Sequence, residues 1–222
     1  MKDAIYDQGY HAKRHEHLIE QDEYFWARAE AATRFYFTPE ERQKRIFEYG
    51  CGIGQGIAML PRAAGWDIST EALLACHRRR LEVYDRFEDV PRKSWDIVFC
   101  RHVLEHVEEP LIVLRALREL LAEDGGELYL ILPKERHYKS PLVTDLDQHL
   151  YCWNFRTVNN LLHRAGFVPY RNCVKYILGY RALLPIRRAF GKNAYYQMAR
   201  LVGWLKRNGE LVIRARPSSS AI

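Results

Sequence analysis

The sequence predicts a doubly wound α/β fold, a mainly parallel sheet with helices on both faces. Two observations carry that expectation. From residue 45 onward short apolar runs bounded by Gly or Pro alternate with helical patterns: RIFEYG, GQGIAML, AGWDIS, TEALLACHRR, LEVYD, WDIVFC, PLIVLRALRELL and GELYLILP. Near-continuous runs of Ile, Val, Leu and Tyr spaced by helices belong to strands covered on both faces, the pattern of parallel sheets. The composition, 48% hydrophobic, 13% aromatic and 28% charged over 222 residues, is that of an ordinary globular chain and excludes disorder, collagen and repeat arrays.

Taken in order, residues 8–35 alternate charged and aromatic positions without Pro and read as helical turns carrying Tyr24, Phe25, Trp26, Phe35 and Tyr36. Thr38, Pro39, Glu40 and Glu41 form a helix start, with Pro at the first position and acids in the first turn. Strand, Gly-rich turn and short helix follow, the helix cut by Pro61. The clearest helix comes after Pro110, where Leu111, Leu114, Leu117, Leu120 and Leu121 recur at steps of three and four before an Asp124-Gly125-Gly126 stop. A helix at 156–165 ends at Gly166, a strand covers 167–176, and the last strand covers 210–215. Between those strands lies a helical insertion at 178–208, far longer than a hairpin loop, and such insertions tend to be lids or binding surfaces. Within it Met198, Leu201, Val202 and Leu205 are expected to form one packed face.

No window approaches the roughly 18 consecutive apolar residues of a membrane span, and the N-terminus is too polar for a signal peptide, so a soluble, cytoplasmic chain is expected. Cys51, Cys76, Cys100, Cys152 and Cys173 form no CxxC pair and suit free thiols in a reducing compartment. The net charge of +6 is unevenly placed. Residues 178–216 hold nine basic groups against one acid, leaving the rest of the chain at 25 basic and 27 acidic, a net of −2.

The chemistry-bearing stretch is FEYGCGIGQG at 47–56, where glycines at 50, 52, 54 and 56 follow a strand. The dinucleotide pattern GxGxxG fails in every register; an acid, a spacer and GxGxG fits, with Glu48 as the acid. On these residues the chain resembles the class I S-adenosylmethionine-dependent methyltransferases. The resemblance covers residues 45–170, is weak before them and finds no relative for the insertion. It implies a seven-stranded Rossmann-like sheet and one methyltransferase domain: a helical cap at 1–44, a cofactor-binding core at 45–135, and an acceptor-side half at 136–222 that carries the basic insertion.

The resemblance also implies site residues. Glu48, Gly50, Cys51, Gly52, Gly54 and Gln55 are expected around the methionine and ribose of S-adenosylmethionine, a phosphate-free cation beside which a carboxylate is favourable. Asp67, with its neighbour Ile68, is similar to the family's ribose-binding acid and lies 17 residues after Gly50; its other reading is the approach to a helix N-cap before Thr70 and Glu71. Adenine is assigned to Asp85 or the backbone at 86–88, with Phe87, or the stretch is a surface loop. Arg101 precedes a segment similar to the family's HVLEHV, at the carboxyl end of the sheet where ligands bind.

Read alone, His102, Glu105 and His106 match the zinc pattern HxxEH, but that needs a long helix for which Pro110 leaves no room, so no metal is expected. His149, in DQHLY, is expected at the rim of the acceptor pocket. Should the acceptor be a hydroxyl, His106 and His149 are the candidate bases, although His106 reads equally as a buried structural histidine; a neutral amine needs only orientation. The acceptor is expected to be a small metabolite or a cell-surface glycan or its lipid-linked precursor, with peripheral membrane contact through the basic helix. Nucleic acid is expected to be excluded, RNA methylation and a noncatalytic binding role being the alternatives.

Overall fold

A computed structural model of the chain describes residues 18–135, 148–177 and 181–218. The beginning of the helical turns expected from residue 8, Asp147 of the DQHLY stretch and the tail from 219 lie outside the described residues. The helices are α1 (Asp22–Tyr36), α2 (Thr70–Arg78), α3 (Pro110–Leu120), α4 (Phe155–Arg164) and α5 (Leu184–Leu205). The strands are β1 (Ile46–Tyr49), β2 (Ala63–Trp66), β3 (Ile97–Arg101), β4 (Glu127–Pro133), β5 (Phe167–Tyr176) and β6 (Gly209–Pro217). They form a six-stranded sheet in the order β2-β1-β3-β4-β6-β5, the α/β architecture expected, with one strand fewer. The missing seventh is LEVYD: it makes a single parallel bridge, Val83 to Gly65, with Glu82 and Tyr84 sharing both hydrogen bonds of Gly65. Its residues are at best half-buried, so little apolar burial holds a longer ladder.

The chain divides into two compact units. Unit 2 takes in Arg45–Gly50, the described parts of Val90–Lys175, and β6 from Glu210. Parallel pairing joins β1 to β3 and β3 to β4, whereas β6 runs antiparallel to β4. Burial is unbroken along β3 from Ile97 to Cys100 and along β4 from Glu127 to Leu132, as strands covered on both faces require. Helix α3 begins with Pro110, whose missing N–H costs nothing in a first turn, and buries Leu114, Leu117 and Leu120. Asn154 caps α4 by accepting from the amides of Arg156 and Thr157, and Thr157 reaches back to complete the box.

Unit 1 takes in Cys51–Asp89 with the described parts of Met1–Lys44 and Tyr176–Gly209. Tyr24, Phe25, Ala27 and Ala31 of α1 pack with Leu184, Tyr195 and Ala199 of α5 and with Ile53 and Ala75. The apolar face expected of α5 holds only in part: Met198 packs against this core, but Leu201 is 48% and Leu205 63% exposed, and Tyr195, Ala199 and Gly203 are buried. Small residues win because the backbone comes close; a Cβ on Gly203 would stand 2.7 Å from the Cα of Ile177. Gly191, at φ 81° and ψ 177°, kinks the helix.

Two expected helices shrink. The start at Thr38 yields one 3-10 turn, Glu41–Gln43, although Thr38 and Glu41 exchange capping hydrogen bonds of 2.8 and 3.3 Å. Lys44 is already extended, and Arg45 is bound to Asp96 by its amide at 2.8 Å and its guanidinium at 2.6 Å, which turns the chain into β1. GQGIAML makes hydrogen-bonded turns, from Gly54 to Ile57 and Ala58 and from Ile57 to Leu60, without a regular helix. Its glycines lower helix propensity and Pro61 lacks the donor a further turn needs.

Candidate functional site

In unit 1 the glycine-rich turn is built by backbone. Gly52 and Gly54 adopt φ of 53° and 86°, the left-handed region in which a side chain is strained. A Cβ on Gly54 would also lie 2.3 Å from Leu81 Cδ1 and 3.0 Å from Cys76 Sγ, so packing behind the turn excludes one. The Cys51 amide donates to Trp66 O at 3.0 Å, tying the turn to β2. Cys51 and Gln55 are both buried, at 5% and 6% exposure.

Asp67, directly after β2, accepts the Gly52 amide at 2.7 Å on Oδ2 and the Ser69 amide at 2.9 Å on Oδ1. Its carboxylate thus fixes the turn, while Ser69 caps α2 by accepting from Ala72 at 3.3 Å. Ile68 is 43% exposed. Asp85 is an exposed partner of His77 Nε2 at 3.0 Å, and Phe87 packs on Trp66 with ring centroids 5.2 Å apart.

In unit 2 Glu48 sits near the carboxyl end of β1, 1% exposed, in register with Phe99 of β3. Gly50 follows at φ 71°, and a Cβ there would lie 2.3 Å from Val103 Cγ2, so the turn after β1 packs against the turn after β3. Burial pushes the Cys100 thiol well above its ordinary value, and the charges of Glu105 and Glu48 push the same way. Arg101, half-buried, ends β3.

Beyond β3 the HVLEHV segment forms turns, not a helix. His102 takes φ 55° and sends Nε2 to Glu210 Oε1 at 3.1 Å, while Glu105 and His106 join His149 instead. The imidazoles of His106 and His149 meet edge to face with centroids 4.7 Å apart. Leu150 and Tyr151 donate their amides to Glu105 O at 2.7 and 3.3 Å, which anchors the segment carrying His149. Glu135, which sequence reasoning missed, binds Nδ1 of His149; no local pattern joins residues so far apart. Glu105 was visible only as a member of HxxEH, whose other histidine turns away.

A family model described as a methyltransferase domain matches residues 18–171. A tRNA U34 carboxymethyltransferase of Wolinella succinogenes is 33% identical over 87 residues, covering 34% of this chain and 29% of that protein. A ubiquinone biosynthesis O-methyltransferase of Ralstonia nicotianae is 32% identical over 100 residues, covering 39% and 42%. The chain thus spans less than half the length of the curated relatives it matches. With one of them acting on tRNA by name, the expected exclusion of nucleic acid lacks support.

Among solved structures, a Haloferax volcanii methyltransferase in complex with the Trm112 methyltransferase activator superposes with TM-score 0.62 at 17% identity, over 96% of this chain and 98% of that one. Haemonchus contortus phosphoethanolamine N-methyltransferase 2, in complex with phosphomonomethylethanolamine and S-adenosylhomocysteine, gives TM-score 0.55 at 19% identity, over 87% and 53%. These structural likenesses establish the fold. With the family model spanning most of the chain, this protein belongs to the methyltransferase-domain family.

Proposed function

We propose that this chain is an S-adenosylmethionine-dependent methyltransferase of the cytoplasm, transferring a methyl group to an oxygen or nitrogen of a small metabolite or of a glycan or its lipid-linked precursor. The observation that carries the reading is the buried Glu48 followed by a turn with Gly50, Gly52 and Gly54 all at positive φ, the Gly52 amide held by Asp67. Carboxylates at such a turn suit a hydroxyl-bearing, phosphate-free cation and repel a pyrophosphate. Glu48 and Asp67 are the residues to hold it, with Trp66 and Phe87 offering an aromatic surface to its base.

When bound, S-adenosylmethionine supplies an activated methyl group on a sulfonium centre. The protein's part is alignment and exclusion of water, because transfer in line needs close approach of the acceptor atom. For a hydroxyl acceptor, a proton must leave, and the cluster of Glu105, His106 and His149 is the set suited to that. On the acceptor side, α5 exposes Phe190 at 76%, Trp204 at 61% and Leu205 at 63%, followed by Lys206 and Arg207, an amphipathic surface for an anionic lipid or lipid-linked acceptor. No helix among the described residues is long and apolar enough to cross a membrane. The tRNA-acting relative favours RNA as a second reading. The test is transfer of labelled methyl groups from S-adenosylmethionine into fractionated cell extract: label in a lipid or small-metabolite fraction is expected, label confined to RNA selects the second reading, and no label in any fraction contradicts both.

A further inference from the structure

The geometry points to a divalent metal site formed by Glu105, His106 and His149, of the donor type that takes a first-row transition ion. One ligand atom from each of the three lies within 4.8 Å of the others. First-row ions bond nitrogen and carboxylate oxygen at about 2.0–2.2 Å, so ligand atoms around one ion stand about 3–4 Å apart. The surface position of His149 leaves its side chain room to close that difference.

Glu105 argues for an ion rather than a chance cluster. It is 0% exposed, and among the described residues neither carboxylate oxygen has a hydrogen-bond partner on another residue. Its approach to His106 Nε2 is 3.9 Å, too long for a hydrogen bond. Leaving a carboxylate buried and unsatisfied is costly, and cation coordination is a standard way to compensate it.

The surroundings are also built for ligation. The amides of Leu150 and Tyr151 on Glu105 O hold the two segments together by backbone alone, and Tyr151 adds a hydroxyl bond to Glu108 O at 2.9 Å. Glu135 on Nδ1 of His149 leaves Nε2 as the donor, the carboxylate–histidine–metal relay that orients an imidazole ligand. Two imidazoles and a carboxylate favour Zn²⁺, Fe²⁺ or Mn²⁺ over Mg²⁺ or Ca²⁺. Three protein ligands keep a coordination position open for an acceptor hydroxyl, which becomes more acidic on coordination and releases its proton to solvent. That role rests on the methyl-transfer reading above; occupancy by the ion does not.

The test titrates the chelator-treated full chain with Zn²⁺, and separately with Mn²⁺, by calorimetry, with bound ion counted by mass spectrometry after dialysis. One ion per chain is expected, with affinity lowered about tenfold or more in Glu105→Gln and His149→Ala, about 10- to 100-fold in Glu135→Gln, and unchanged in His102→Ala. His149 is a surface residue, so its variant keeps its fold, as circular dichroism can verify. Absence of a stoichiometric ion for both metals, or equal affinity in His149→Ala, overturns the site. S-adenosylmethionine affinity measured on the same samples separates the two ideas: cofactor binding without metal binding removes this site and leaves the methyltransferase, and the converse leaves the site and removes the methyltransferase.

Discussion

Unit 2 buries several charged side chains: Glu48, Glu105, Glu127 and Arg214 are each 6% exposed or less. In unit 1 the charges of α1 and α5 meet one another nearer the surface, Arg187 and Lys192 on Glu30 at 3.1 Å and Arg188 on Glu23 at 2.5 Å. Burying a charge costs several kcal/mol unless it is paired, whereas exposed pairs contribute about 0–1 kcal/mol. The comparison therefore sets buried charge at the strands of unit 2 against surface pairing in unit 1, and gives part of the basic insertion a structural task. Arg187 and Arg188 of that insertion fasten α5 to α1.

The largest effect should come from breaking the interior of unit 2. Arg214 bonds Glu127 at 3.0 Å and lies 3.4 Å over the Tyr129 ring, and Glu127 also accepts from Tyr170, whose hydroxyl is pushed up to about 12, chiefly by burial. Arg214→Ala should cost about 3–5 kcal/mol in urea unfolding by stranding Glu127. A loss under about 1 kcal/mol would erase the contrast between the units.

Next is the turn. Gly54→Ala meets both the left-handed backbone, at roughly 1–2 kcal/mol, and Leu81. It should lower stability by at least that much and weaken S-adenosylmethionine binding, and Gly54→Ala with Leu81→Ala should relieve the steric part only. Full recovery in the double variant would mean the positive φ is unimportant.

The smallest effects belong to the ion pairs of unit 1, where Arg187→Ala should cost less than about 1 kcal/mol. Glu30 shows the pH dependence. Burial raises its carboxyl, but hydrogen bonds from Lys192 and Arg187 outweigh this and hold it below 4.5. A lowered value in the folded state gives stability that is present above pH 4.5 and lost as pH falls through the folded value. Thermal melts of Glu30→Gln and the unsubstituted chain should therefore differ at pH 7 and converge in acid; a constant offset would show that the pairing carries no linkage.

Much of this was legible in the chain. The apolar runs that became β1, β3 and β4 and the leucine period of α3 are local signals, and the glycine turn announces itself through its own residues. What could not be read depended on tertiary proximity. LEVYD lacks the burial that turns strand propensity into a ladder. The buried face of α5 is legible only in part, because hydrophobic periodicity favours Leu201 and Leu205 beside Met198, whereas close backbone approach selects Ala199 and Gly203. Likewise HxxEH named one correct pair, Glu105 and His106, but His149 comes from a distant segment held by backbone hydrogen bonds.

The central claim is that the acid and glycine turn binds S-adenosylmethionine. Calorimetric titration of the full chain tests it most directly: saturable binding of one molecule per chain is predicted, weakened about tenfold or more in Glu48→Ala, as expected for loss of a charged hydrogen-bond partner worth about 1.5–3 kcal/mol. No saturable binding, or equal affinity in Glu48→Ala, would contradict it.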